Sequence, residues 1–156
     1  MTACSGFLDL KRRALRGAIP LIAHLELTHA CTWHCRFCSN PPGRHPELDG
    51  DAWLAVLDDL RRLGALFVVL TGGEPLLHPD FAQIARGIGE RHLAFRLLTN
   101  GSLVDEDAAA LLGELRPLSV ELSLHGATAA THDGTTRTPG SFGAVWRAVS
   151  GEQSGQ

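Results

Sequence analysis

Apolar residues follow two alternating rhythms along this chain. Short runs rich in β-branched and large aliphatic residues span 21–27, 66–70, 94–98 and 118–124. Their length and composition are those of buried strands. Segments with helical spacing follow them. Trp53, Val56, Leu57, Leu60 and Leu63 recur at i, i+3, i+4, i+7 and i+10, with Asp58, Asp59, Arg61 and Arg62 between them. That spacing makes one apolar stripe and one charged face, and Gly64 stands where a helix C-cap is expected. Phe81, Ile84, Ala85 and Ile88 form a second stripe. Ala108, Leu111, Leu112 and Leu115 form a third, preceded by Asp105, Glu106 and Asp107, whose charges suit a helix N-terminus. Phe142, Val145, Trp146 and Val149 form a fourth, and Phe7 to Arg16 predicts a short extra helix ahead of the first strand.

Strand–helix alternation implies parallel strands joined by crossovers. An eight-unit barrel needs about 250 residues, so 156 residues with four such units cannot close one. The expected fold class is α/β, a partial (β/α) TIM-type barrel of about four parallel βα units. Residues 1–20 read as an N-terminal extension, 21–150 as the core domain and 151–156 as a polar tail. No fifth strand follows to cover the fourth. Because an open edge invites pairing with other chains, the expectation is a truncated barrel, or one that a partner completes. Pro41-Pro42-Gly43 predicts a turn before the first long helix.

Composition narrows the function classes. The net charge of −3 gives no electrostatic footprint for nucleic acid or an acidic membrane, and Lys11, Arg12, Arg13 and Arg16 read as a solvated helix face. No apolar run approaches the roughly 20 residues of a membrane-spanning helix, and the N-terminus has no secretory h-region. Of four cysteines, three are clustered and Cys4 stands apart as a spare thiol. That distribution is not a disulfide framework, and free thiols fit a reducing cytoplasm.

The cluster is Cys31-Thr-Trp-His-Cys35-Arg-Phe-Cys38, a C-x3-C-x2-C arrangement with Phe37 before the last cysteine. Structural zinc usually takes four protein ligands. Three thiolates on one short loop suit instead a cubane iron–sulfur cluster with one iron left open to a ligand. His34 abuts Cys35, which makes joint tetrahedral ligation with it awkward. In parallel α/β folds function gathers at the C-terminal ends of the strands. The cysteine loop follows the first strand, Thr71-Gly72-Gly73-Glu74-Pro75 the second, Thr99-Asn100-Gly101 the third and Ser123-Leu124-His125-Gly126 the fourth. All four are therefore expected on one face. Gly72 and Gly73 leave a bare backbone that a ligand can approach, with Glu74 as an acceptor for an amine. Alone, Asn100-Gly101 reads as a turn. The Ser123 hydroxyl, closing the fourth strand, could contact a sugar or simply face solvent. His125 and His132 could be ligands or bases, with no such role the favoured reading for either alone.

Together these residues resemble the radical S-adenosylmethionine enzymes. The resemblance rests on Cys31, Cys35, Cys38 and Phe37, on Gly72-Gly73-Glu74-Pro75, and on Asn100-Gly101. The stretch from Ser123 through His132-Asp133 to Phe142 is similar to the subgroup that matures peptides and often carries a SPASM extension. The resemblance implies that Cys31, Cys35 and Cys38 hold a [4Fe–4S] cluster whose open iron binds the amino and carboxylate groups of S-adenosylmethionine. One electron then gives a 5'-deoxyadenosyl radical that takes hydrogen from a substrate. It further implies that Gly72, Gly73 and Glu74 meet the methionine amine, that Phe37 lies near the adenine, and that Asn100 and Ser123 line the cofactor site, with Ser123 toward the ribose. Arg137 would pair with the methionine carboxylate. A peptide substrate and an electron donor such as a flavodoxin or ferredoxin are the implied partners. The family's barrels usually have six βα units, against four here. The alternatives are a non-catalytic iron–sulfur-binding fragment or accessory module, and a zinc-binding structural protein.

Overall fold

The computed structural model describes residues 5–40 and 46–151. Cys4, the Pro41-Pro42-Gly43 turn and nearly all of the 151–156 tail lie outside them. Helix α1 (Ser5–Gly17) comes first, followed by strand β1 (Ile22–Glu26), helix α2 (Gly50–Leu63), β2 (Phe67–Thr71), α3 (Phe81–Glu90), β3 (Ala94–Thr99), α4 (Glu106–Leu115) and β4 (Ser119–Leu122). Two further helices, α5 (Ala129–Thr136) and α6 (Ser141–Ser150), end the described chain. All four strands are parallel and lie in sequence order, β1-β2-β3-β4. Sequential order with crossovers of one hand puts the connecting helices on one side of the sheet, the arrangement of a barrel segment.

The register shows why the apolar runs became strands. His24, Val69 and Arg96 align across the first three strands, as do Leu25, Leu70 and Leu97 one residue on. Since successive side chains alternate faces, Leu25, Leu27, Val68, Leu70, Phe95 and Leu97 belong to the helix-covered face. There they pack with Trp53, Leu57, Phe81, Ile84, Ile88 and Leu112 in one core. The opposite face carries polar groups, among them Arg96, whose guanidinium lies 5.5 Å from the centre of the Phe67 ring and 3.8 Å from Glu121.

Each predicted stripe forms a helix, and the ends are fixed chemically. Asp49 caps α2 by accepting from the Ala52 N–H at 2.9 Å, and Gly64 ends it in the left-handed conformation. Asp105 caps α4 in the same way, accepting from Ala108 at 2.9 Å. Arg91 at the end of α3 makes a two-pronged bond to Asp58 of α2, at 2.8 and 3.0 Å. Sequence reading missed α5. Its Ala-Ala-Thr-His-Asp-Gly-Thr-Thr sequence has no apolar stripe, so the period that revealed the other helices is absent.

Leu57 is fully buried, whereas Leu63 on the same helix is exposed. Leu57→Ala should cost about 2–5 kcal/mol of unfolding free energy in a urea titration, and Leu63→Ala less than about 0.5 kcal/mol. Equal losses would mean that the core is not where these strands and helices put it.

Candidate functional site

Because every strand points the same way, the segments after them leave one edge of the sheet. The backbone after β1 continues one step beside β2, through Leu27 N–H to Thr71 O at 2.9 Å. It then meets the Gly72-Gly73 turn, where Gly73 N–H donates to Thr28 O at 2.7 Å and Glu74 N–H to Ala30 O at 2.8 Å. Gly72 sits at φ 135°, and a Cβ there would run into the Thr28 carbonyl; a Cβ on Gly73 would meet that of Ala30. The close approach these glycines permit is therefore, in the first instance, that of the chain entering the cysteine loop. The loop's far end is tied back as well. Asn40 donates to His29 O at 2.6 Å and meets His29 Nδ1 at 2.7 Å, while Glu47 accepts from the Thr28 hydroxyl and the His29 N–H.

Glu74 is fully buried. One carboxylate oxygen accepts from the Thr99 hydroxyl at 2.7 Å and from Leu76 N–H at 3.1 Å, and the other from Asn100 N–H at 2.8 Å. Burial pushes its carboxyl above the ordinary range, more than these donors pull it down. The side chain expected to receive an amine is thus engaged by three donors of its own chain, and it joins the ends of β2 and β3. Asn100, expected first as a turn residue, extends the connection. Its side-chain amide donates to Thr32 Oγ1 at 2.9 Å and reaches Cys31 Sγ at 3.6 Å, while its carbonyl accepts from Ser102 N–H at 2.9 Å.

The three cysteines are free thiols, Cys31 and Cys35 half-buried and Cys38 exposed. Burial raises Cys31 most, against the Trp33 N–H and the Asn100 amide, with Glu74 and Cys38 adding to the rise. Burial also raises Cys35, and the charges of Cys31 and Cys38 add to it. Backbone N–H groups already point at sulfur, Trp33 to Cys31 and Asn40 to Cys38, each at 3.4 Å.

Beside this loop stands a wall of rings. Phe37, 62% exposed, lies edge-on to His125 with centroids 4.9 Å apart. His125 stacks on His132 at 5.7 Å, and His132 meets Trp33 edge-on at 5.2 Å. Ser123 extends the β3–β4 pairing through its N–H to Thr99 O at 3.1 Å and is half-buried. Arg137, exposed and left-handed at φ 54°, caps α5 next to Thr136, whose carbonyl accepts from His34 N–H at 3.1 Å. Cys31 is linked through Asn100 to Glu74, and Gly73 and Glu74 bond the chain entering the cysteine loop. Phe37 meets His125, which also meets Trp33 of that loop, and Arg137 follows Thr136, whose carbonyl accepts from His34. Sequence reading missed Thr28, Trp33 and the part α5 plays. The available signal was Thr128, which caps α5 by accepting from Thr131 N–H at 3.3 Å.

The family model of the radical SAM superfamily matches residues 25–150. The chain belongs to that superfamily. It is 36% identical over 118 residues to the PqqA peptide cyclase of Rhodopseudomonas palustris, a match covering 74% of this chain and 31% of that protein. It is 32% identical over 132 residues to the mycofactocin maturase MftC of Mycobacterium tuberculosis, covering 83% and 34%. Among solved structures it is similar to Streptococcus suis SuiB bound to the precursor peptide SuiA, with a TM-score of 0.71 at 18% identity, over 85% of this chain and 31% of that one. It is also similar to anSMEcpe with bound AdoMet, with a TM-score of 0.68 at 20% identity, over 82% and 39%. The structural likenesses establish the fold, a partial (β/α) barrel. The chain spans about a third of the length of the curated relatives it matches.

The donor set fits the family's cluster. Its three thiols stand on one loop, where the charge of Cys38 raises Cys31 and those of Cys31 and Cys38 raise Cys35. The N–H groups directed at the sulfurs of Cys31 and Cys38 are hydrogen bonds of the kind such clusters use.

All of Glu74's partners are donors, which makes its substitution informative. However the new amide is turned, Glu74→Gln sets an NH2 group against a backbone N–H, that of Asn100 or of Leu76. The expected cost is about 1–3 kcal/mol in urea unfolding. An unchanged midpoint would mean that the carboxylate does not hold these loops together.

Proposed function

We propose that this chain carries the cluster- and cofactor-binding part of a radical S-adenosylmethionine enzyme that modifies a peptide. The observation that carries the reading is a single loop bearing three free thiols, fixed to the strand-end edge with hydrogen-bond donors already aimed at its sulfurs. Cys31, Cys35 and Cys38 would hold a [4Fe–4S] cluster. When bound, the cluster supplies S-adenosylmethionine with one electron, which cleaves the sulfonium and yields a 5'-deoxyadenosyl radical for hydrogen abstraction.

The chain's own residues have defined tasks in this reading. Asn100 steadies Cys31 through its amide. With the Glu74 carboxylate engaged internally, recognition of the methionine amine passes to the backbone of Gly72–Glu74. Phe37 and His125 form the ring wall on which an adenine would lie. Ser123 would approach the ribose, and Arg137, after the α5 residue that bonds the cysteine loop, would pair with the methionine carboxylate. The names of the relatives, a peptide cyclase and a maturase, support a peptide as substrate. A flavodoxin or ferredoxin would deliver the electron. No helix among the described residues is long and apolar enough to cross a membrane, and the free thiols suit the cytoplasm.

A second reading has its own observation. The β4 edge and α6 expose Leu118, Val120, Trp146 and Val149, and the relatives are about three times as long. In that reading this polypeptide binds the cluster and S-adenosylmethionine without turnover on its own.

Anaerobic reconstitution tests the proposal. The wild-type chain should bind about four irons and four sulfides, and Cys35→Ala should bind essentially none. Formation of 5'-deoxyadenosine after reduction with S-adenosylmethionine present selects catalysis over binding alone. One tightly held zinc with no sulfide would refute the iron–sulfur assignment.

A further inference from the structure

We propose that helix α5 is a clamp that positions the cysteine loop, with Asp133 as the residue that sets the clamp. The inference deepens the cluster assignment above and rests on it for its functional meaning.

Residues 31–38 form neither helix nor strand, so their shape must come from outside contacts. The loop's two N–H groups on either side of Cys35 both reach α5. His34 N–H donates to Thr136 O at 3.1 Å and Arg36 N–H to Thr135 O at 3.0 Å. The last carbonyls of a helix have no partner within it, and here the cysteine loop supplies two donors. Trp33, between Cys31 and Cys35, is buried with its ring perpendicular to that of His132. One face of the loop thus lies against one helix through two backbone bonds and one ring contact.

Helix α5 cannot hold that position by itself. It has only eight residues, including three threonines and a glycine, too short and too weak in propensity to be stable alone. Its anchor is Asp133. One carboxylate oxygen accepts from Gly140 N–H at 2.7 Å, and the other from the Ser141 hydroxyl and the Phe142 N–H, each at 2.8 Å. These are the donors at the start of α6, where Gly140 has no side chain to cap the helix. Asp133 therefore caps α6 from α5 and locks the two together. The buried pair Thr136 Oγ1 and Ser141 Oγ, 2.7 Å apart, makes a second link at the residue whose carbonyl holds His34. On the other side, His132 Nδ1 accepts the His125 N–H at 3.1 Å, tying α5 to the loop after β4. His132 Nε2 is buried and has no hydrogen-bond partner. The ring is therefore held by packing against Trp33 and Phe142 rather than by a second hydrogen bond.

The chain of contacts runs from the α6 N-terminus through Asp133 and Thr136 to His34 and Arg36, and so to Cys35. It also divides the loop's donors. His34 and Arg36 N–H are given to α5, while Trp33 and Asn40 N–H point at sulfur. Releasing the clamp would free two N–H groups beside Cys35 and loosen that ligand, which changes both how firmly iron is held and the cluster's electronic surroundings.

The test compares Asp133→Asn with Asp105→Ala, which removes the side-chain cap of α4 and has no bond to α5. In the cluster-free chain, Asp133→Asn should speed hydrogen exchange at the His34 and Arg36 amides, while Asp105→Ala leaves them protected. In the reconstituted chain, Asp133→Asn should lose iron to a ferrous chelator about tenfold faster and shift the g-values of the reduced cluster, and Asp105→Ala should do neither. Equal effects of the two variants would overturn the proposal, because a general loss of stability would then explain them. If Asp133→Asn fails to fold, Ser141→Ala removes one of its donors and the link to Thr136, and the same outcomes apply. A wild-type chain that takes up no cluster would refute the iron–sulfur assignment instead, and the amide exchange would still decide the clamp.

Discussion

The site depends on one buried carboxylate. Glu74 has no exposure to solvent, and an ionised or even a neutral carboxyl in that position is costly unless its oxygens are satisfied. They are satisfied by donors from its own turn and from the end of β3. The geometry of two strand ends is thereby fixed together. The Glu74 and Gly73 N–H groups grip the chain as it leaves β1, and Asn100, held through its backbone by Glu74, reaches the first cysteine through its side chain. A parallel sheet supplies the common edge, and this carboxylate makes that edge rigid where the cysteine loop begins.

From there the loop is held on two sides. Glu74 and Asn100 secure the Cys31 end, α5 secures the stretch around Cys35, and Cys38 is left exposed. The gradient is chemically sensible. On the proposed reading, a cluster there would be assembled from solvent and reached by an electron donor on the Cys38 side, while its Cys31 and Cys35 ligands would be partly buried. The sheet's other face, with Arg96, Glu121 and Phe67, is not covered by the helices that form the core. The β4 edge is also apolar, exposing Leu118 and Val120, in a chain that spans about a third of its relatives' length.

Much of this was legible in the sequence because single-residue signals agreed with periodic ones. The strands announced themselves as apolar runs, and four helices as stripes at 3.6-residue spacing, with Gly64 and Asp105 marking their ends. The cysteine spacing pointed to three thiolates on one loop, and the strand-end rule grouped it with Gly72–Glu74, Asn100 and Ser123. Long-range pairings were not legible. Nothing local says that the bare backbone of Gly72 serves the Thr28 carbonyl, that Glu74 turns inward to Thr99, or that Asn100 is more than a turn residue. Helix α5 escaped because Asp133, Thr136 and His132 hold it by polar contacts rather than by an apolar face. Its capping residue Thr128 was the one local hint.

Central to the account is a three-thiolate cluster with one iron lacking a protein ligand and open to S-adenosylmethionine. Mössbauer spectroscopy of the iron-57 reconstituted chain, with and without S-adenosylmethionine, tests that claim directly. The account predicts that one iron in the cluster changes its isomer shift and quadrupole splitting when S-adenosylmethionine is added, while the other irons keep theirs. Irons that all remain unaffected by S-adenosylmethionine would contradict it.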